Sequence, residues 1–385
     1  MAKTKGRRVV IAGVSTRALS VSAARAGYQV TAIDAFGDLD LRAVARVKAL
    51  RRDVGTEFSP LAAAKVAESI PKSMVAYTSN FENYPTAVGR LTRHHRMLGN
   101  SPIVLREVRD PLVVMRLLRR EGFVTPTSRA TAPSFPTEAA WLLKPRRSGG
   151  GHGTLPWRFG KSVRRTHYLQ ERIAGSPGSI AFVANARGAM PLGVTRQIVG
   201  DPTFGASGFR YCGSLYAAVT ELFPHGEELL DTAVRLAGAL TENFGLVGLN
   251  GIDFVAKRGI PYPIEVNPRY SASMELIERA HGLSMFETHA EACQGQLPTR
   301  QPAAASVEGK AIVFARRDVT LGNTRPWLQH DAFADVPHSG EQILRGHPIC
   351  TVFARAGDAA ACYKLLTRRA AEVYRLGVPT TRSAA

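Results

Sequence analysis

The sequence predicts α/β and α+β architecture in three parts: a small parallel βαβ unit, a larger mixed unit, and a short α+β unit at the end. Three observations predict it. The first hundred residues alternate short apolar runs with helical patterns, the order that builds a parallel sheet. The middle of the chain carries apolar strand pairs with turn residues between them, the signature of hairpins. The last part returns to short strands and closes on one helix. The boundaries expected are 1–100, 101–300 and 306–385, with QPAAASVEG (301–309) as a linker.

RRVVIAGV (7–14) reads as a buried first strand. Lys3, Lys5, Arg7 and Arg8 precede it like the start of a signal peptide, but six apolar residues are too few for one. TRALSVSAARAG (16–27) has helical spacing and a Gly stop, and YQVTAID (28–34) is a second strand ending in an acid. SMVAYTSN (73–80) is a third. Gly13 to Arg17 lacks the GxGxxG spacing, which argues against a dinucleotide site. DPLVVMRLLRREG (110–122) is a helix with Asp110 as N-cap, Pro111 in its first turn and Gly122 after its last. A Pro/Ser/Thr-rich connection (125–139) leads to WLLKP (141–145), a glycine-rich loop (148–153) and the strand HYLQERI (167–173). FVANARGAMPLGVTRQIVG (182–200) is a hairpin turning at Arg187-Gly188. GEELLDTAVRLAGALTENFG (226–245) is an amphipathic helix. Residues 249–282 hold two strands joined by Lys257-Arg258-Gly259, then a helix. KAIVFA, PICTVFA and a helix over 359–375 complete the chain.

The 385 residues are 45% hydrophobic and 21% charged, which excludes wholesale disorder. No apolar run is long enough to span a bilayer, and no membrane partner is expected. Cys212, Cys293, Cys350 and Cys362 form no CxxC, which argues against a zinc or iron–sulfur site and suits a reducing cytoplasm. The net charge of +19 is mostly arginine, whose planar fork suits phosphates and carboxylates. The basic residues are spread along the chain rather than gathered in one arm, so acidic small-molecule substrates are favoured over nucleic acid.

Chemistry concentrates in two segments. Asp253 and Glu265 lie on adjacent antiparallel strands, where such residues stand side by side. With the amide oxygen of Asn267 they make a hard-oxygen site of the kind Mg²⁺ prefers. Arg269 lies two residues beyond Asn267, on the same side of an extended chain, and can reach the same phosphates or a developing oxyanion. Upstream, Lys144-Pro-Arg-Arg-Ser148-Gly149-Gly150-Gly151-His-Gly153 gives a loop whose backbone N–H groups can wrap a polyphosphate, with Lys144 as a point charge before it. It is not a GxxxxGK[ST] loop. Between them, Gln170-Glu171-Arg172-Ile173 can present an acceptor and a backbone N–H to an adenine edge.

In this order and spacing the three segments resemble the ATP-grasp superfamily over residues 100–290, with a pre-ATP-grasp domain before them. That resemblance implies an enzyme that holds ATP between two lobes and joins a carboxylate to an amine through an acyl-phosphate. The signatures YTSNFEN (77–83), LGNSP (98–102), VRDP (108–111), EVNPRYSASMEL (265–276), GKAIVFAR and PHSGEQILRGHPICTVFA resemble a subgroup of ligases associated with tetrahydromethanopterin and methanofuran biosynthesis in methylotrophs. The roles it implies are Lys144 on the α/β-phosphates and as a catalytic charge, and Ser148 to Gly153 over the β/γ-phosphates. Gln170, Glu171 and Ile173 serve adenine. Asp253, Glu265 and Asn267 bind one or two Mg²⁺, with Mn²⁺ as a substitute, and Arg269 stabilises the transferred phosphoryl group.

The early lysine of many such enzymes is replaced here by Asp110-Pro111, with Arg109 or Arg116 as stand-ins, and Ser176 or Ser179 stands where an acid for the ribose is expected. Arg196 and Arg210 are the candidate substrate-binding residues. Glu275 reads as a solvated helix charge or a general base. The 306–385 segment offers a homodimer surface or a lid. The competing readings are a carboligase that uses bicarbonate and a basic nucleic-acid-binding protein with a regulatory ATP site.

Overall fold

The computed structural model describes residues 6–135, 139–299 and 306–379. Lys3 and Lys5, the 301–305 part of the expected linker and the end of the last segment (380–385) lie outside the described residues.

The first unit is a five-stranded parallel sheet. Its strands are β1 (Arg8–Ala12), β2 (Gln29–Asp34), β3 (Arg46–Ala49), β4 (Met74–Tyr77) and β5 (Arg96–Met97), in the order β3-β2-β1-β4-β5. The order reverses between β1 and β4, so a crevice opens at their carboxyl ends, where ligands of such sheets bind. Helices Arg17–Arg25, Pro60–Ala67 and Pro85–His94 cover its faces. Strands β3 and β5 have no apolar run to announce them; both are short edge strands in which half the residues are basic.

A four-stranded antiparallel lobe follows, made of β6 (Ser128–Arg129), β7 (Trp141–Pro145), β8 (Leu155–Trp157) and β9 (His167–Glu171), in the order β6-β9-β7-β8. The largest sheet has eight antiparallel strands. It contains β10 (Ser176–Asn185), β11 (Ala189–Val199), β12 (Tyr211–Tyr216), β13 (Val247–Lys257), β14 (Ile260–Asn267), β15 (Val307–Phe314), β17 (Phe333–Ala334) and β19 (Pro348–Ala356). Their order is β14-β13-β10-β11-β12-β15-β19-β17. A small sheet of β16 (Val319–Leu321), β18 (Gln342–Ile343) and β20 (Gly377–Pro379) completes the fold. The segment after 306 therefore adds three strands to the large sheet through β12, a strand that its glycine and polar residues had concealed.

The helix Gly226–Phe244 lies on one face of the large sheet. It buries Leu229, Ala233, Leu236, Ala237 and Leu240, one helical stripe, against Phe182, Phe254 and their neighbours. Each fully buried leucine contributes about 1.5–3 kcal/mol. The opposite face receives the helix Met285–Ala292, which shares a core with β1 and the helix Arg17–Arg25 through Leu19, Leu249 and Phe286. The two sheets are thus fixed to each other by apolar packing, and the crevice above β1 and β4 faces the end of β14.

Candidate functional site

The turn between β13 and β14 sets the register of the site. Arg258 and Gly259 both take left-handed φ values, 52° and 77°, as a two-residue hairpin requires. Lys257 then pairs with Ile260 and Phe254 with Pro263. A β-bulge comes next: Asp253 pairs with Glu265, and Ile264 is left over. Without that extra residue Asp253 would face Ile264, and the carboxylates would lie on opposite faces of the sheet. The bulge also frees the Ile264 carbonyl from the ladder. Lys144 Nζ donates to it at 3.4 Å and Gln170 Nε2 at 3.3 Å, so the irregularity anchors the neighbouring lobe.

Asp253 accepts from Gln197 Nε2 (3.0 Å) and from Asn267 Nδ2 (2.9 Å). Burial, and then the nearby Glu265, push its carboxyl up to about 6. Burial acts on Glu265 in the same direction. There Arg109 and Lys144 outweigh it and hold that carboxyl below its ordinary range. Ser179, across the ladder from Asp253, is buried, and its hydroxyl helps to hold the Asp253 carboxyl down. Two half-buried carboxylates, an amide and a neighbouring hydroxyl fit a divalent cation of oxygen preference.

Arg109 ties the motifs together. Its guanidinium donates to Glu265 Oε1 (2.8 Å), the Val266 carbonyl (2.7 Å), Asn83 Oδ1 (2.8 Å) and the Ser148 carbonyl (2.8 Å). It takes the place expected of Arg109 or Arg116; Arg116 lies elsewhere, beside Arg120 and Phe244. Arg269 is only 9% exposed and pairs with Glu82, itself 1% exposed, at 2.8 Å. It also donates to Asn267 Oδ1 (3.2 Å) and its own neighbour's carbonyl at Tyr270 (2.9 Å). Arg269 Nε and Glu82 Oε2 are both buried without a partner. Glu82 and Asn83 belong to the YTSNFEN signature, which carried the resemblance but had been given no role.

The glycine loop sits directly over this pair. A Cβ on Gly149 would lie 4.0 Å from Arg269 Nη2. Gly151 has φ 76°, and a Cβ there would lie 1.8 Å from the Phe209 carbonyl oxygen, so only glycine fits. The Gly150 carbonyl accepts from Tyr211 N–H, and Ser148 Oγ donates to the His152 carbonyl. A Cβ on Gly153 would meet Pro145 at 2.8 Å.

The remaining expected residues are placed as follows. Lys144 Nζ bonds Gln170 Oε1 at 3.0 Å. Both amide atoms of Gln170 are thereby committed, to Lys144 and to Ile264. Glu171 accepts from Thr127 N–H at 3.0 Å. Ile173 follows the strand end, half-buried. Arg210 is turned to the carboxy-terminal segment: it donates to the Gly346 carbonyl (2.6 Å) and lies over the Phe314 ring at 4.8 Å. Arg196 is not brought to the site. Gln197, its neighbour on β11, reaches Asp253, so the period of two turns Arg196 to the other face, beside Gly178 and Leu215. Ser176 starts β10 opposite Ala256, and Ser179 serves Asp253's face instead of a ribose position.

Glu275 is buried, contrary to the expected solvated charge. It pairs with Arg17 of the first unit and with Lys310 of β15 (2.6 Å). Arg17 also bonds Asp335 (3.1 Å), and Arg17 outweighs burial to hold that carboxyl down, at about 2. The four free cysteines make no disulfide among the described residues, and burial pushes Cys212 up to about 11 and Cys293 to about 12, so neither is a reactive thiolate.

Residues 108–273 match the family model described as the ATP-grasp domain. This is the ATP-grasp fold. An uncharacterized protein of Methanocaldococcus jannaschii is 22% identical over 90% of this chain and 88% of its own. Among solved structures, an ADP complex of N5-carboxyaminoimidazole ribonucleotide synthetase superposes with TM-score 0.69 at 17% identity, covering 96% of this chain and 97% of that one. An L-amino acid ligase from Bacillus licheniformis gives TM-score 0.69 at 14% identity, covering 98% and 100%. The biotin carboxylase domain dimer of Hydrogenobacter thermophilus 2-oxoglutarate carboxylase, solved with MgADP, ADP and bicarbonate, gives 0.70 at 12%, covering 97% and 90%. The ATP-grasp resemblance read from the sequence agrees with the domain match. No helix among the described residues is long and apolar enough to cross a membrane.

Proposed function

We propose that this chain is an ATP-dependent carboxylate–amine ligase that works through an acyl-phosphate. The observation that carries the reading is the bulge that sets Asp253 against Glu265, with Asn267, Arg269 and the glycine loop converging on the same face. Lys144 and the loop Ser148–Gly153 bind the polyphosphate, and the backbone around Gln170 to Ile173 takes the adenine. Asp253, Glu265, Asn267 and the Ser179 hydroxyl would hold Mg²⁺, which would supply charge neutralisation on the phosphates. A substrate carboxylate oxygen attacks the γ-phosphorus and ADP leaves. The amine nitrogen then attacks the acyl carbon, the C–O bond to phosphate breaks, and phosphate leaves. Arg269 stabilises the charge of both steps, and the loop excludes water from the acyl-phosphate.

An amino acid such as glutamate or tyrosine is the favoured partner, in making a methanofuran- or tetrahydromethanopterin-type carrier. Its support is the sequence signatures and the likeness to an L-amino acid ligase. The second reading is carboligation with bicarbonate, favoured by the likeness to the N5-carboxyaminoimidazole ribonucleotide synthetase and the bicarbonate-bound domain. Mg-ATP turnover to ADP and phosphate, screened against glutamate, tyrosine and bicarbonate with cofactor precursors, separates the two. ADP formed only with an amino acid supports the first reading, and AMP with pyrophosphate refutes both. The dimeric state of the Hydrogenobacter domain supports a homodimer here, which sedimentation checks.

A further inference from the structure

A cleft of about 230 Å³ opens beside the site, between the first unit and the start of the glycine loop. Glu82, Arg106, Arg109, Asp110, Arg146 and Arg147 are its charged lining. Their commitments differ. Arg109 is spent on Glu265, Asn83 and Ser148. Arg146 lies 3.5 Å from Asp110, whose carboxylate caps the helix Pro111–Arg120. Among the described residues Arg106 and Arg147 form no ion pair; Arg147 overlies the Tyr84 ring at 6.0 Å. The cleft therefore has two exposed guanidinium groups without a counter-charge at its mouth. At its inner end Glu82, 1% exposed, leaves Oε2 buried and unpartnered.

These two ends ask for different chemistry. Free guanidinium forks recognise carboxylate or phosphate. A buried carboxylate oxygen without a donor asks for an N–H. The other oxygen of Glu82 holds Arg269 at 2.8 Å, so an amine docked on Oε2 stands beside the arginine of the reacting centre. The cleft's volume lies below that of drug-sized sites, which suits an amino-acid-sized group and excludes a polymer.

We propose that this cleft is the acceptor site, and that it takes a small amine bearing a carboxylate or phosphate, with the amine on Glu82 and the anion on Arg106 and Arg147. The role as acceptor site rests on the ligase reading; binding in the cleft does not. Arg196 and Arg210, the arginines expected to bind substrate from the sequence, take no part.

The probe is O-phospho-L-serine, titrated calorimetrically into full-length enzyme saturated with Mg²⁺ and the non-hydrolysable ATP analogue AMPPNP, so that the nucleotide site is filled. Losing one charge-assisted contact is expected to weaken binding about tenfold in Arg106→Ala and again in Arg147→Ala. Arg106→Lys should restore part of it. 3-Phosphoglycerate, which carries a hydroxyl in place of the amine, should bind about tenfold more weakly than O-phosphoserine to the wild type, reading the Glu82 end. AMPPNP affinity should be the same in all three variants. Equal O-phosphoserine affinity in wild type and variants overturns the proposal, as does absence of binding to the wild type. Competition with AMPPNP, or loss of AMPPNP affinity in Arg106→Ala, also overturns it, by assigning the cleft to the nucleotide phosphates. Failure of Mg-AMPPNP to bind while O-phosphoserine still discriminates the variants sinks the ligase reading and leaves the cleft standing.

Discussion

Asp253→Asn should make the nucleotide-free protein more stable at neutral pH while abolishing its turnover. Burial and Glu265 raise the Asp253 carboxyl from 3.8 to about 6. Between those values the folded protein holds a proton that the unfolded chain has released. The contribution of this carboxyl to stability is therefore greatest below pH 3.8 and falls as pH rises from there through about 6. Two pKa units correspond to about 3 kcal/mol at neutral pH. The asparagine keeps an acceptor for Gln197 but loses one for Asn267, a cost of about 1 kcal/mol. The net gain expected is about 2 kcal/mol at pH ~7.5; it vanishes near pH ~4.5 and becomes a loss approaching about 1 kcal/mol at lower pH, where the carboxyl is neutral in folded and unfolded wild type alike. Urea unfolding of both proteins in EDTA, across that range, measures the gap directly, because titrating groups other than Asp253 and its neighbour Glu265 cancel. Mg²⁺ should stabilise the wild type and leave Asp253→Asn unmoved. A variant less stable than wild type at pH ~7.5, or a gap independent of pH, would refute the reasoning.

Other substitutions test the neighbouring claims. Glu82→Gln removes the charge that holds Arg269 and should lower kcat about 10²-fold while KM for ATP stays within a factor of about two, read by ADP release. Gly151→Ala places a methyl against the Phe209 carbonyl and should raise KM for ATP through a displaced loop, with the unfolding free energy lowered by about 1 kcal/mol or more. Arg196→Ala should leave both KM values unchanged, since its side chain faces away from Asp253; a tenfold rise in acceptor KM would restore it to the site. Lys310→Met leaves Glu275 with Arg17 alone and should cost about 3–5 kcal/mol in denaturant unfolding.

The carboxylate pair could be read from the chain because two tight-turn residues at 258 and 259 fix which strand positions meet. The bulge that completes the pairing leaves no such mark: nothing in PYPIEVN says that Ile264 is the surplus residue. Arg109 was one of two alternatives, and only the approach of Asn83 and Ser148 selects it over Arg116. Glu82 was hidden for the same reason, since its partner lies nearly two hundred residues away. Arg196 was misplaced by proximity in sequence: one step along β11 separates it from Gln197 and turns it to the opposite face. Glu275 looks exposed on a helical wheel, and it is buried because Arg17 and Lys310 arrive from distant parts of the chain. The parallel first sheet, by contrast, followed from apolar runs that need no distant partner to be recognised.

The continuation of the large sheet through β12 into β15 has a consequence for how the protein can be cut. A chain ended before Val307 would expose the outer row of N–H and C=O groups on Gly213 to Tyr216 as a raw edge. Unpaired edges of this kind recruit one another. The carboxy-terminal strands thus cover an edge that would otherwise be open to pairing, and a chain shortened at that point is expected to associate with its own copies.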